Sequence, residues 1–296
     1  MTTRLLRPVL VLLAGSVLAT GLSAQSPAPK LEFPAPSPAA TLKQRVGITD
    51  ITVEYSRPSM KGRKIFGPGG LEPYGAVWRT GANNATKVTF STDVSFGGQP
   101  VPAGAYALFS IPGETEWAVI LNKVDGQWGS YSYNAANDVA RVTVKPITLP
   151  SPIETFAIGF SNLRMNGATM YLAWDRVRVP VEVTTDIVGT LVPQIQAVMA
   201  SDAKEKPYFQ AAMFYYENNL DLDQAAAWME KGVAAQPNAF WMIYRQGLIL
   251  AKKGDKAGAR AAAQKSIELA TAAPNVPAAL KDEYVRLNNA LLASLN

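Results

Sequence analysis

Lys87-Val88-Thr89-Phe90-Ser91-Thr92-Asp93-Val94-Ser95-Phe96 sets Val88, Phe90, Thr92, Val94 and Phe96 at every second position, with polar neighbours between them. On an extended chain successive side chains point to opposite faces, so this run reads as a half-buried strand. The same period of two recurs at Ile51, Val53 and Tyr55, and at Val142 and Val144 among Arg141, Thr143 and Lys145. Further apolar runs lie at Tyr106–Ile111, Trp117–Leu121, Phe156–Phe160, Met170–Trp174 and Val177–Val183. Gly97-Gly98, Pro102-Ala103-Gly104, Pro112-Gly113, Asp125-Gly126 and Asn166-Gly167 punctuate them, with Gly allowing turns that other residues resist. Roughly eight or nine short strands with no helical pattern between them predict an antiparallel β-sandwich, jelly-roll-like, over residues 41–186.

After Thr185 alanine becomes abundant, and apolar residues recur at spacings of three and four, which predicts helices over residues 187–296. Met213 and Gly247, Ala225 and Ala259, Met229 and Ala263, and Gly232 and Ser266 each stand 34 apart, the tetratricopeptide period. Ala225, Gly232, Ala259 and Ser266 are small enough to let paired helices approach, and Asp221–Asp223 and Gly254-Asp255 fall where each hairpin should turn. Two repeats are few for a free-standing array, so Ile187–Met199 and Leu280–Leu295 read as capping helices, or else the array leans on the β-domain. The chain is thus α+β and multidomain, a β-sandwich followed by a short tetratricopeptide-like array.

The opening residues carry Arg4 and Arg7, an apolar stretch from Val9 to Leu22 broken by Gly15, Ser16 and Gly21, and then Ala24. This is the pattern of a signal peptide over residues 1–24, cut near Ala24, and it places the mature chain in the periplasm or outside the cell. Residues 25–40 include Pro27, Pro29, Pro34, Pro36 and Pro38 and read as a tether. No later segment has the roughly 18 uninterrupted apolar residues of a membrane span. The 28 basic and 23 acidic residues give +5; without Arg4 and Arg7 the balance is 26 to 23, or +3. That excess is too small and too evenly spread to predict nucleic acid as a partner.

The chain contains no histidine and no cysteine. This excludes Ser-His-Asp and Cys-His catalysis, zinc sites with His or Cys ligands, and c-type haem. There is no phosphate-binding Gly-x-x-x-x-Gly-Lys-Ser loop, no Gly-x-Gly-x-x-Gly and no Asp-x-Asp-x-Asp-Gly spacing, and no cofactor is called for.

Several separated motifs in the β-rich part go together. They are Ser56-Arg57-Pro58 with Lys61-Gly62-Arg63-Lys64-Ile65-Phe66-Gly67; Pro73-Tyr74-Gly75 with Val77-Trp78-Arg79-Thr80-Gly81-Ala82-Asn83; Pro102-Ala103-Gly104 with Tyr106, Leu108-Phe109 and Ile111-Pro112; and Leu121-Asn122-Lys123 with Gln127-Trp128-Gly129, Tyr131 and Tyr133. Through these, Val53–Val144 resembles the secreted bacterial family catalogued as domain of unknown function number 2911. The resemblance implies a domain and a secreted setting, and it assigns no catalytic roles.

The residues themselves suggest a ligand site. Trp78 and Arg79, ahead of Gly81, Asn83 and Asn84, offer a planar face, a bidentate fork and amides that both donate and accept. Trp128, Tyr131 and Tyr133 form a second aromatic group, with the tyrosines on one face of a short strand and with Lys123 nearby; Arg57 and Lys64 belong to a basic loop. If these converge, stacking and pairing would hold a small anionic or polyhydroxylated ligand, such as a carbohydrate. The plainer alternative buries Trp78, pairs Arg79 with Asp93 or Asp138, leaves Asn83-Asn84 as turn residues, leaves the basic loop solvated and packs the tyrosines across strands. The function expected is non-catalytic binding or scaffolding in the cell envelope, with the helical half docking a protein partner. One alternative is a carboxylate-based hydrolase of envelope carbohydrate drawing on Asp93, Glu114, Glu116, Asp125, Asp138 or Asp175. Another is a purely structural protein.

Overall fold

The structure is a computed structural model that describes Leu31 and residues 33–296. The expected signal peptide, and residues 25–30 and 32 of the expected tether, lie outside the described residues. In chain order the strands are β1 (Ala39–Val46), β2 (Thr49–Ser56), β3 (Thr86–Phe90), β4 (Val94–Phe96), β5 (Gln99–Val101), β6 (Gly104–Ile111), β7 (Trp117–Asn122), β8 (Asp138–Val144), β9 (Ile147–Arg164) and β10 (Gly167–Thr184). Helices α1 (Ile187–Ala200), α2 (Tyr208–Glu217), α3 (Leu222–Ala235), α4 (Phe240–Lys253), α5 (Lys256–Ala272) and α6 (Ala278–Ser294) follow. The strands form a six-stranded sheet in the order β1-β2-β3-β6-β7-β8 and a four-stranded sheet in the order β5-β4-β10-β9, with antiparallel pairing throughout. Strand β1 starts at Ala39, two residues before the expected boundary.

The alternating run from Lys87 to Phe96 is not one strand. It divides into β3 and β4, which belong to different sheets. Asp93 sits at the corner, where its carboxylate accepts the backbone N–H of Ala103 at 2.8 Å. The period of two survives the corner: Val88, Phe90, Val94 and Phe96 all lie in one core shared by both sheets. Gly97 and Gly98, at φ of 56° and 87°, then turn β4 into β5 in a conformation that side chains resist. Met170–Trp174 and Val177–Val183, read as two runs, are one long strand, β10, bent at Asp175, where the register against β9 shifts and φ is 52°.

The shared core is aromatic at one end. Phe66 lies 4.9 Å from Trp117, and Trp78 lies 5.0 Å from Phe156, both edge to face, while Trp78 stacks on Trp174 at 5.7 Å. Such rings each remove about 150–250 Å² from water, so this cluster dominates the packing of the β-domain.

The outer face of the six-stranded sheet is divided. Over β6 and β7 it is buried, with Ala85, Ala107, Phe109 and Ile120 packed beneath Val77 and Tyr133. Over β1–β3 it is open, and Ala39, Thr41 and Glu54 face solvent. The division follows from where the loop between β7 and β8 lies, and it creates the edge described below.

In the helical region α2 packs on α3, α3 on α4, α4 on α5 and α5 on α6. Ala225, Ala259 and Ser266 are fully buried at these contacts. Asp221 and Asp255 accept backbone N–H groups at the starts of α3 and α5, at the expected turns. The segments expected as caps, Ile187–Met199 and Leu280–Leu295, correspond to α1 and α6; Val192, Ile195 and Met199 of α1 pack against the first helical core cluster. Among the described residues no helix is long and apolar enough to cross a membrane.

Candidate functional site

Trp78 to Thr86 forms a tight loop built around a buried indole. Trp78 exchanges backbone hydrogen bonds with Ser110 at 2.7 and 2.9 Å, which fixes the loop on β6. Its ring is 2% exposed and its Nε1 donates to the Gly81 carbonyl at 3.1 Å. Thr80, fully buried, takes a φ of 53°, rare for a β-branched residue; its hydroxyl bonds that of Ser110 at 2.9 Å, and its carbonyl accepts the Thr86 hydroxyl at 2.6 Å. Trp78 therefore belongs to the core and offers no face to a ligand.

The backbone reversal at Thr80 turns Arg79 outward on the opposite side of the loop. Its Nη1 donates to the Asn83 carbonyl at 3.0 Å, and its guanidinium lies 5.8 Å from the centre of the Trp128 ring. The β7–β8 loop is stitched to this region by backbone bonds: Ala85 donates to Gln127 at 2.8 Å and Gly129 donates to Asn83 at 3.0 Å, with Asn84 and Trp128 forming an isolated bridge. Lys87 and Asp125 add an ion pair at 3.0 Å. So held, Trp128 is 64% exposed and Tyr131 77% exposed, and their rings stack at 5.7 Å with 23° between planes. Two large aromatic rings stacked on each other in water, on a braced loop, form a platform.

Of the expected site residues, Arg79, Asn83, Asn84, Trp128 and Tyr131 come together. The others do not. Arg57 donates through Nε to the Phe156 carbonyl at 2.9 Å and ties the loop after β2 to β9. Lys64 donates to the Pro68 carbonyl at 2.6 Å within its own loop. Lys123 is exposed, with its backbone held by Asn137. Tyr133 does not share a face with Tyr131, because these residues are in a turn and not a strand. Its ring packs edge to face on Phe109 at 5.1 Å, and its hydroxyl donates to Asp138 at 2.7 Å and accepts from Arg141 at 2.7 Å. Burial first, and then Asp138, push its hydroxyl pKa up. Neither Asp93 nor Asp138 pairs with Arg79: Asp93 braces the β3–β4 corner and Asp138 serves Tyr133, Arg141 and Asn122.

Two features of the site carry no mark in the sequence. One is Glu72, in the Gly- and Pro-rich segment ahead of Trp78; burial pushes its carboxyl up to about 7, against the lowering pull of the Arg79 charge. The other is a groove of about 310 Å³ on the open half of the sheet, bordered by Thr41, Glu54, Ser56, Asn84, Lys87 and Gly126. Cross-strand register explains it: Thr41 faces Glu54, Glu54 faces Lys87, and Lys87 faces the buried Ala107, so the row runs from open sheet into the wall made by the β7–β8 loop. Asn84 belongs both to this groove and to the bridge with Trp128.

Comparison with known proteins places this site inside a recognised sequence unit. No curated protein and no solved structure matches the chain. The sequence model of the family described as "Protein of unknown function (DUF2911)" matches residues 37–183, the β-rich region that carries the two sheets and the Arg79/Trp128/Tyr131 surface.

Proposed function

We propose that the protein is a secreted, non-catalytic binding protein of the cell envelope, periplasmic or extracellular, whose β-domain holds a polyhydroxylated or anionic ligand on the Trp128–Tyr131 platform. The stacked, exposed pair beside the Arg79 guanidinium carries this reading, since exposed aromatic rings on a braced loop present an apolar face that water leaves readily and sugar rings or planar groups cover well. Arg79 and the Asn84 amide supply hydrogen bonds at its edge. Secretion rests on residues 1–24 and their signal-like pattern. In this reading the two sheets form a jelly-roll-like sandwich, and the helices are tetratricopeptide-like hairpins that dock a protein partner. The test is ligand titration of wild type, Trp128→Ala and Arg79→Ala against soluble oligosaccharides and small carboxylates, with thermal unfolding alongside. Loss of binding with unfolding unchanged supports the proposal; unaltered binding in both variants sinks it.

Hydrolysis is the second reading, favoured by Glu72. A carboxyl titrating near 7 suits a general acid. Glycoside hydrolysis needs a second carboxylate about 5–10 Å away, and the charged group acting on Glu72 is Arg79 instead. Binding therefore ranks first.

A further inference from the structure

We infer that the groove over β1–β3 is a second subsite continuous with the Trp128–Tyr131 platform, and that the ligand is an uncharged oligosaccharide chain long enough to occupy both. This inference rests on the binding role proposed above and specifies its ligand class. Three observations support it. First, the two surfaces are joined by backbone: Asn84 lines the groove and pairs with Trp128, and Gly126, two residues before Trp128, forms part of its wall. Asn84 is thus common to both surfaces, and the shortest path for a chain from the platform to the groove runs over it.

Second, the groove is made for hydroxyl groups. Thr41 and Asn84 make no side-chain hydrogen bond to the described part of the protein, and Ser56 accepts one from Asn83 Nδ2 at 3.1 Å while its own hydroxyl hydrogen remains available. Ala39, on the same outward face, keeps the floor low enough for a ring to lie flat. Adjacent strands are about 4.8 Å apart, so three of them provide a track of about 10 Å, room for roughly two sugar rings beyond the platform.

Third, charge selects against an anion. Lys87 is committed to Asp125 across the groove's end, and Glu54 stands beside it in the same cross-strand row. At the platform Arg79 is offset by the nearby Glu72 whenever that carboxyl is ionised. An acidic polymer would meet Glu54 with no uncommitted cation among the lining residues, whereas a neutral chain meets donors and acceptors only.

The experiment is calorimetric titration of the full chain with chito- and cello-oligosaccharides of increasing length, and with oligogalacturonates as the charged counterpart. Affinity for a neutral series should rise at least about tenfold from disaccharide to tetrasaccharide and then level. Thr41→Trp, on the exposed face of edge strand β1, plugs the groove and should reduce tetrasaccharide affinity to that of the disaccharide while leaving disaccharide binding intact. Ala39→Trp, on the same face, provides a second plug should the first disturb folding. Trp128→Ala should abolish both. Equal affinity at all lengths, indifference to both plugs, or tighter binding of oligogalacturonate would overturn the two-subsite neutral-chain inference and leave the platform standing. Absence of binding by wild type, or full binding by Trp128→Ala, would overturn the platform and the groove together.

Discussion

The hydroxyl of Thr86 donates to the carbonyl of Thr80 at 2.6 Å, closing a loop in which Thr80 keeps the left-handed backbone conformation. Both residues are fully buried. The pair separates the two faces of the loop, with Trp78 turned into the core and Arg79 turned toward Trp128. Without the Thr86 hydroxyl the Thr80 carbonyl loses this buried donor, at a cost of about 1–3 kcal/mol. Thr86→Val should lower stability by that amount in urea unfolding and quench the order of the Arg79 side, whereas Thr86→Ser, which keeps the hydroxyl, should stay within about 1 kcal/mol of wild type.

Trp78 and Trp128 should separate cleanly under substitution. Trp78 is enclosed by Phe66, Trp117, Phe156 and Trp174, so Trp78→Ala leaves a cavity and should cost about 3–5 kcal/mol. Trp128 is mostly in water, and Trp128→Ala should change stability by less than about 1 kcal/mol. Far-UV circular dichroism during denaturant titration measures both. A large loss in Trp128→Ala would mean that the platform is a structural plug and not a binding surface.

Glu72 makes a pH-dependent prediction. Its carboxyl titrates near 7 in the folded chain against an ordinary 4.5, so the folded state holds the proton more tightly than the unfolded state does. The corresponding stability is present below about pH 4.5 and is lost as pH rises through about 7. Glu72→Gln, which cannot ionise, should match wild type at about pH 4 and exceed it at pH 8. The gain expected is on the order of 1–2 kcal/mol, reduced from the full linkage value because the side chain is only half-buried. Thermal unfolding across pH 4 to 8 checks this; a constant difference between the two proteins would assign Glu72 another role.

How much was legible in the sequence depended on whether a residue sat in a periodic segment. Val88, Phe90, Val94 and Phe96 announce their burial through alternation, and Asp221 and Asp255 announce helix starts through capping chemistry. Trp78 and Trp128 lie in segments rich in Gly and Asn, where no period exists; one is buried and the other exposed because of which loop each meets across the sheet. Glu72 looks like any loop carboxylate, since nothing periodic around it marks its burial. The groove depends on strand order, which brings Thr41, Glu54 and Lys87 into one row from three separate strands. The split of the Lys87–Phe96 run escaped for the opposite reason: its period continues unbroken while the chain changes sheets.

The helical region holds a polar thread that should behave as a unit. Asn288 Nδ2 in α6 donates to Ser266 Oγ in α5 at 2.9 Å, and that hydroxyl donates to the Phe240 carbonyl in α4 at 2.8 Å. Both side chains are fully buried, and Asn288 Oδ1 has no hydrogen-bond partner among the described residues. Ser266→Ala removes the middle link and leaves the other two groups short of a partner, so it should cost about 1–3 kcal/mol. Asn288→Leu in that background removes a buried amide that no longer has its bond to Ser266, including an oxygen that had none, and should recover part of the loss. A double-mutant cycle read by urea unfolding should therefore give a coupling of about 0.5–3 kcal/mol. Simple additivity would mean that the three helices are held by apolar packing alone, with the Asn288–Ser266 contact incidental to it.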